Sequence, residues 1–228
     1  MRVAVAQFAT SFDTAENLTT CLRMIDEVAA CNPGIVVLPE FCNTQPCYSD
    51  HNQVWQQALA IESDFLHQIA QQAKKYACYI VLNVTLRRDL NRDQQDASVQ
   101  SNISITSCLF SPSGELVQQV DKQKLTEQER QFFISEKQAA SVISSDFGKF
   151  GLMSGADSYT FQASRALAIN GAQLICNSEH SFALDTSTLH DITHAAGCKR
   201  STGLKRVLGT ATGGDGILIF DSSSYSAA

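Results

Sequence analysis

The sequence has no uninterrupted apolar run near the ~20 residues that a membrane-crossing helix needs. Its opening, Met1-Arg2-Val3-Ala4-Val5-Ala6-Gln7-Phe8, alternates briefly and then turns polar, without the hydrophobic stretch of a signal peptide. A cytoplasmic protein is therefore expected. Positive charge is scarce, with 17 basic against 23 acidic residues for a formal balance of −6. The basic pairs Lys74-Lys75, Arg87-Arg88, Lys199-Arg200 and Lys205-Arg206 are short and scattered. A nucleic-acid binder would show a basic stripe, and an anionic membrane surface would demand a similar cluster; neither partner is expected. CxxC spacing is missing from the eight cysteines, and no histidine cluster accompanies them. That removes a zinc site, and without a secretion signal the cysteines read as reduced, largely buried thiols. Gly213-Gly214-x-Gly216 has neither the spacing nor the context of a phosphate loop. No metal or cofactor is expected.

What is present is an alternation of strands and helices. Val3 to Phe8 reads as a buried strand. A helix follows, opened by Asp13 with Glu16 at capping-box spacing and carrying Leu18, Cys21, Leu22, Ile25, Val28 and Ala29 at helical period. Asn32-Pro33-Gly34 stops it. Ile35 to Leu38 is a continuously apolar strand of the kind covered on both faces. A polar loop is expected from Phe41 to Asn52, then a helix from Ile61 to Tyr76 and a strand from Cys78 to Val84. After a hydrophilic insertion over Arg87 to Gln100, read as a surface loop, Asn102 to Phe110 and Glu115 to Val120 form a hairpin across Pro112-Ser113-Gly114. Thr126 and Glu129 make a second capping box that opens a short helix. Val142-Ile143, Phe147 to Met153 and Ala172 to Cys176 read as strands, with a helix from Tyr159 to Asn170 closed by Gly171. This order predicts a layered α/β domain.

Four places carry candidate chemistry. Glu40 follows a buried strand through Pro39, at the end of the strand where α/β sheets hold ligands, although a solvated glutamate is common there. Lys122, just past the hairpin, has the charge to stabilise an oxyanion, or is a surface lysine on a polar turn. Glu129 is a second acid or only the partner of Thr126. Gly151-Leu152-Met153-Ser154-Gly155-Ala156-Asp157 joins a strand to a helix, an elbow of the kind on which hydrolases present a nucleophile; Gly155 there also suits a sharp turn.

Together these segments resemble the nitrilase superfamily of amidases, nitrilases and carbamoyl hydrolases. The resemblance runs through Val3 to Gln7, Val36-Val37-Leu38-Pro39-Glu40-Phe41, Asn102 through Ser113-Gly114-Glu115, Lys122-Gln123-Lys124-Leu125, Glu129 to Phe133 and Arg165 to Ala172. It implies a single-domain αββα sandwich of four layers, residues 1–196 as the hydrolase domain, a homodimer, and a small amide-like ligand. It also implies that Glu40 is the general base and Lys122 the stabiliser of the tetrahedral intermediate, with Glu129 at the place of the family's downstream glutamate. In the family a cysteine thiolate attacks the amide or nitrile carbon.

Here the chain departs from the pattern. The family's elbow reads approximately Gly-x-x-x-Cys-x-Asp, and anchoring Gly151 and Asp157 puts Gly155 at the cysteine position without a gap. Glycine forms no thioester, and losing the nucleophile of a comparable covalent hydrolase costs about 10⁶ in turnover. Two readings follow: an inactive or binding-only homologue, or an active amidase using Ser154 or Cys42 in place of the missing thiol; Cys176 is assigned to the core. A second departure starts at Gly197, where residues 197–228 form a divergent or truncated C-terminal segment, with Asp215 to Phe220 the one strand-like run.

Overall fold

Alternation along the first strands explains how two sheets and their covering helices divide the apolar residues. The computed structural model describes residues 1–88, 102–135, 140–180, 205–211 and 216–221. In β1 (Arg2–Gln7) and the residue after it, Ala4, Ala6 and Phe8 pack toward α1 (Thr14–Ala29), while Val3 and Val5 face a second sheet. β2 (Ile35–Val37) divides the same way, Val36 on the helix side and Ile35 and Val37 on the other. This is the period of two imposed by a pleated strand whose two faces are both covered.

α2 (His51–Gln57) and α3 (Asp64–Tyr76) precede β3 (Tyr79–Arg87), β4 (Ile103–Phe110) and β5 (Leu116–Asp121). β6 (Val142–Ser145), β7 (Gly148–Ser154), α4 (Phe161–Ile169) and β8 (Leu174–His180) follow, then β9 (Lys205–Ala211) and β10 (Gly216–Asp221). One sheet has the order β10-β1-β2-β3-β4-β5 and the other β6-β7-β8-β9. β1, β2 and β3 run parallel, as do β7, β8 and β9.

α1 and α3 cover the first sheet through Cys21, Met24, Ile25, Phe65, Leu66 and Ile69. The two sheets meet through Val81 and Leu109 on one side and Phe150, Leu152 and Cys176 on the other. Met153, Ile175 and Leu167 join the second sheet to α4. The result is the four-layer αββα sandwich. Gly151 makes the last interface close, because a Cβ there would come within 2.7 Å of Leu167 Cδ2.

Several boundaries differ from the local reading. Asp50 accepts from Gln53 N and starts α2 inside the expected loop. α3 begins at Asp64 rather than Ile61, and the helix expected from Tyr159 starts at Phe161, after a 3₁₀ turn over Gly155–Tyr159. Asp13 does cap α1, accepting from Ala15 N and Glu16 N, but Glu16 Oε2 takes the hydroxyl of Ser11 in place of a direct return bond. Each of the seven cysteines among the described residues is a free thiol. Residues 89–101, most of the expected surface loop, lie outside the described residues, as do 181–204.

Candidate active site

The site forms where chain segments leave the strands. Glu40 follows β2, Lys122 follows β5, Gly155 follows β7, and Glu179 and His180 end β8. Phe41 takes a φ of +60°, a left-handed conformation directly after Glu40. Two bonds hold it there: Phe41 N donates to Asn83 Oδ1 at 3.1 Å, and Cys42 N donates to Asn83 O at 2.8 Å.

The structure brings Glu40, Lys122, Glu129 and Gly155 together. Lys122 Nζ stands 2.8 Å from Glu40 Oε1 and 2.6 Å from Glu129 Oε1. The side chains of Glu40 and Lys122 are only 2% and 3% exposed, so this ion pair is shielded from water. His180 N donates to the other oxygen of Glu40 at 3.2 Å. Burial pushes the Glu40 carboxyl up to about 7, against the opposing pull of Lys122. Burial works to lower the Lys122 pKa, but Glu40 and Glu129 outweigh it and hold the ammonium above its ordinary range.

Glu129 touches both Lys122 and its capping partner Thr126. Its Oε1 meets Lys122, while Oε2 accepts from Thr126 N at 2.7 Å and Glu129 N donates to Thr126 Oγ1 at 3.2 Å. The capping box is therefore present, although the element it opens is a single 3₁₀ turn over Glu129–Gln131. Asp157 ties the lysine loop to the elbow: its carboxylate accepts from Gln123 N at 3.0 Å and Lys124 N at 2.6 Å.

Gly155 has φ +43°, a backbone conformation that glycine adopts without the steric cost a Cβ brings. A Cβ built on it would lie 2.6 and 2.7 Å from the two oxygens of Glu40 and 2.7 Å from Lys122 Nζ. The tips of the acid and the base thus close over the glycine where a larger side chain would stand. Both are ends of flexible chains, so the space is recoverable by small rotations.

Neither alternative nucleophile reaches the pocket. Ser154 is fully buried, and its Oγ pairs with Ser107 Oγ at 2.7 Å and accepts from Asn83 Nδ2 at 3.0 Å, between the sheets. Cys42 packs in the core under the helices, its Sγ directed at Pro39 O. Burial, with Cys21 beside it, pushes that thiol well above its ordinary range and away from the reactive thiolate. Their placement outside the pocket lining weighs against the second reading, in which either residue replaces the missing thiol.

A cavity of about 450 Å³ opens over Gly155, lined by Glu40, Lys122, Glu129, Phe41, Tyr48, Phe132 and Phe133 among others. Tyr159, Glu179 and His180 also line it, and sequence reasoning did not single them out. Glu179 is 4% exposed and accepts the phenol of Tyr159. One signal was available: Glu179 ends an apolar strand much as Glu40 does.

Comparison with known proteins bears on the family and the fold. Residues 2–198 match the family model described as carbon-nitrogen hydrolase. No curated protein matches the sequence. Among solved structures, a cysteine-to-serine mutant of an amidase from Nesterenkonia sp. AN1, of the nitrilase superfamily, superposes with a TM-score of 0.77. The two are 18% identical, over 97% of this chain and 91% of that one. Nit3 of Saccharomyces cerevisiae, a member of branch 10 of the nitrilase superfamily, gives a TM-score of 0.76 at 20% identity, over 92% of this chain and 75% of that one. A structure of a glutamate-to-glutamine mutant of the Nesterenkonia amidase, at 16% identity, 97% and 92% coverage and a TM-score of 0.74, shows Michael addition of acrylamide at its active-site cysteine. At these identities the structural likeness speaks for the fold, while the match over residues 2–198 speaks for the family. The chain belongs to the carbon-nitrogen hydrolase family.

Proposed function

We propose that this chain is a binding-only member of its family, holding a small amide-like ligand over Glu40 and Lys122 without hydrolysing it. The observation that carries the reading is the elbow itself. Among the described residues that line the cavity there is no cysteine or serine, and the elbow tip facing the acid–base pair is Gly155. Glu40 and Lys122 would bind the amide through its N–H and carbonyl groups, as their acceptor and donor characters allow. Glu129 would hold Lys122 in place. The cytoplasmic location and the homodimer belong to the same proposal.

Restoring the thiol tests it. Gly155→Cys is expected to gain amidase activity, and Gly155→Cys combined with Glu40→Gln to form an acrylamide adduct at that position by mass spectrometry, as a glutamate-to-glutamine mutant of the Nesterenkonia amidase does at its cysteine. The native chain is expected to show neither. Hydrolysis of simple amides by the native chain, abolished by Glu40→Gln, would overturn the reading.

A further inference from the structure

The cavity carries more negative charge than its amide chemistry uses. Glu40 and Glu129 share the single ammonium of Lys122. Glu179 has no such partner among the described residues: its oxygens accept the hydroxyl of Tyr159 and, at 3.3 Å, Nδ2 of Asn177, both neutral donors. Glu127 adds a fourth carboxylate at the exposed mouth. His180 does not balance them, because burial and the charge of Lys122 hold its imidazole below its ordinary range. A carboxylate 4% exposed and served only by neutral donors is an unfavourable arrangement that a cation relieves. Tyr159 borders it through its hydroxyl, and the rings of Tyr48 and Phe132 line the same cavity, surfaces that favour a cation over an anion.

We infer that the pocket selects a small carboxamide carrying a protonated amine, with the amide over Gly155 between Glu40 and Lys122 and the ammonium drawn to Glu179 and the ring of Tyr159. This assignment of ligand class rests on the proposed amide-binding reading. An anionic amide is disfavoured by the same carboxylates, and a neutral one leaves Glu179 without a counter-charge among the described residues.

Calorimetric titration of the full chain at pH 8, where Glu40 is mostly ionised, and low salt, with butanamide, 4-aminobutanamide and succinamate, tests the charge preference on one carbon skeleton. The aminoamide is expected to bind about tenfold more tightly than butanamide, the factor that one hydrogen bond to a charged group supplies, and succinamate more weakly than either. The ratio of aminoamide to butanamide affinity is expected to shrink in Glu179→Gln. High salt is expected to shrink it in the native chain, a readout independent of how the variant folds. Butanamide binding as well as the aminoamide, or succinamate binding best, overturns the charge assignment and leaves the amide reading standing. A ratio unchanged in a folded Glu179→Gln overturns the role of Glu179. If none of the three binds, the amide-binding reading falls, and this inference with it.

Discussion

Glu40 is the residue where burial and charge are most directly opposed, and its titration should be visible in the stability of the whole chain. In the unfolded state it releases its proton near 4.5, and in the folded state near 7. Between those values the folded protein holds a proton that the unfolded chain has lost. The stabilisation is therefore complete below about pH 4.5 and disappears as the pH rises through 7. Removing the titrating group should remove this slope. Glu40→Gln is expected to gain stability relative to the native chain across that window, by no more than about 3 kcal/mol. Urea midpoints measured at intervals from pH 4.5 to 7.5 would show it, and parallel profiles for the two proteins would contradict it. Lys122 sets the limit of the effect: it already offsets part of the burial penalty, and Glu129 remains beside it when Glu40 is neutralised. The same residues show what the sequence could disclose about the site. Glu40, Lys122, Glu129 and Gly155 were legible because each lies in a motif whose order resembles the family's. Glu179 and Tyr159 reach the pocket through the docking of β8 against the elbow, and no local period encodes that docking.

At the scale of elements, a buried polar cluster registers one sheet against the other. Asn83 on β3 donates to Ser107 Oγ on β4 at 3.1 Å and to Ser154 Oγ on β7 at 3.0 Å, and its Oδ1 accepts from Phe41 N. All three polar side chains are fully buried. One amide thus joins the turn after Glu40 to the strand that ends just before Gly155. Replacing it by an apolar residue strands two hydroxyls and one backbone N–H. Asn83→Leu is expected to cost about 2–4 kcal/mol, since each unsatisfied buried group costs roughly 1–3 kcal/mol and the two serines still pair with each other. Ser154→Ala, which leaves Asn83 and Ser107 bonded, should cost only about 1 kcal/mol. Denaturant unfolding of the two variants checks the order; equal losses would show that the cluster does not act through Asn83. In a strand reading Asn83 is an ordinary polar interruption of Tyr79–Arg87, and only the second sheet gives it a role. The longer elements were easier to read, because α1 and α3 carry their apolar residues at helical spacing and β2 and β8 are continuous apolar runs. α2 escaped notice because, among its seven residues, Val54 alone is buried, too little for a periodic pattern. The elbow helix was read two residues early because the 3₁₀ turn at Gly155–Tyr159 leads directly into it.

At the scale of the whole molecule, both sheets take an outer strand from a segment that the family resemblance leaves out. The match ends at residue 198, before β9 and β10. Yet β10 pairs antiparallel with β1 from Arg2↔Asp221 to Gln7↔Gly216, and β9 runs parallel beside β8 from Leu174↔Lys205 to His180↔Ala211. One short stretch of chain therefore supplies an outer strand to each sheet. If residues 1–196 are a self-sufficient domain, a chain ending at Cys198 should fold as well as the full chain. The pairing argues for the opposite outcome. Without β9 and β10, β1 and β8 become edges, and each exposes a row of unpaired backbone N–H and C=O groups over six or seven residues. Long apolar edges of this kind template association between chains. β8 also holds Glu179 and His180, so fraying at that edge reaches the pocket. The shortened chain is expected to elute as large aggregates in size-exclusion chromatography and to lose the cooperative thermal transition of the full chain. A soluble shortened chain with an unchanged melting midpoint would show that both strands are appendages, and that the domain does end near residue 196.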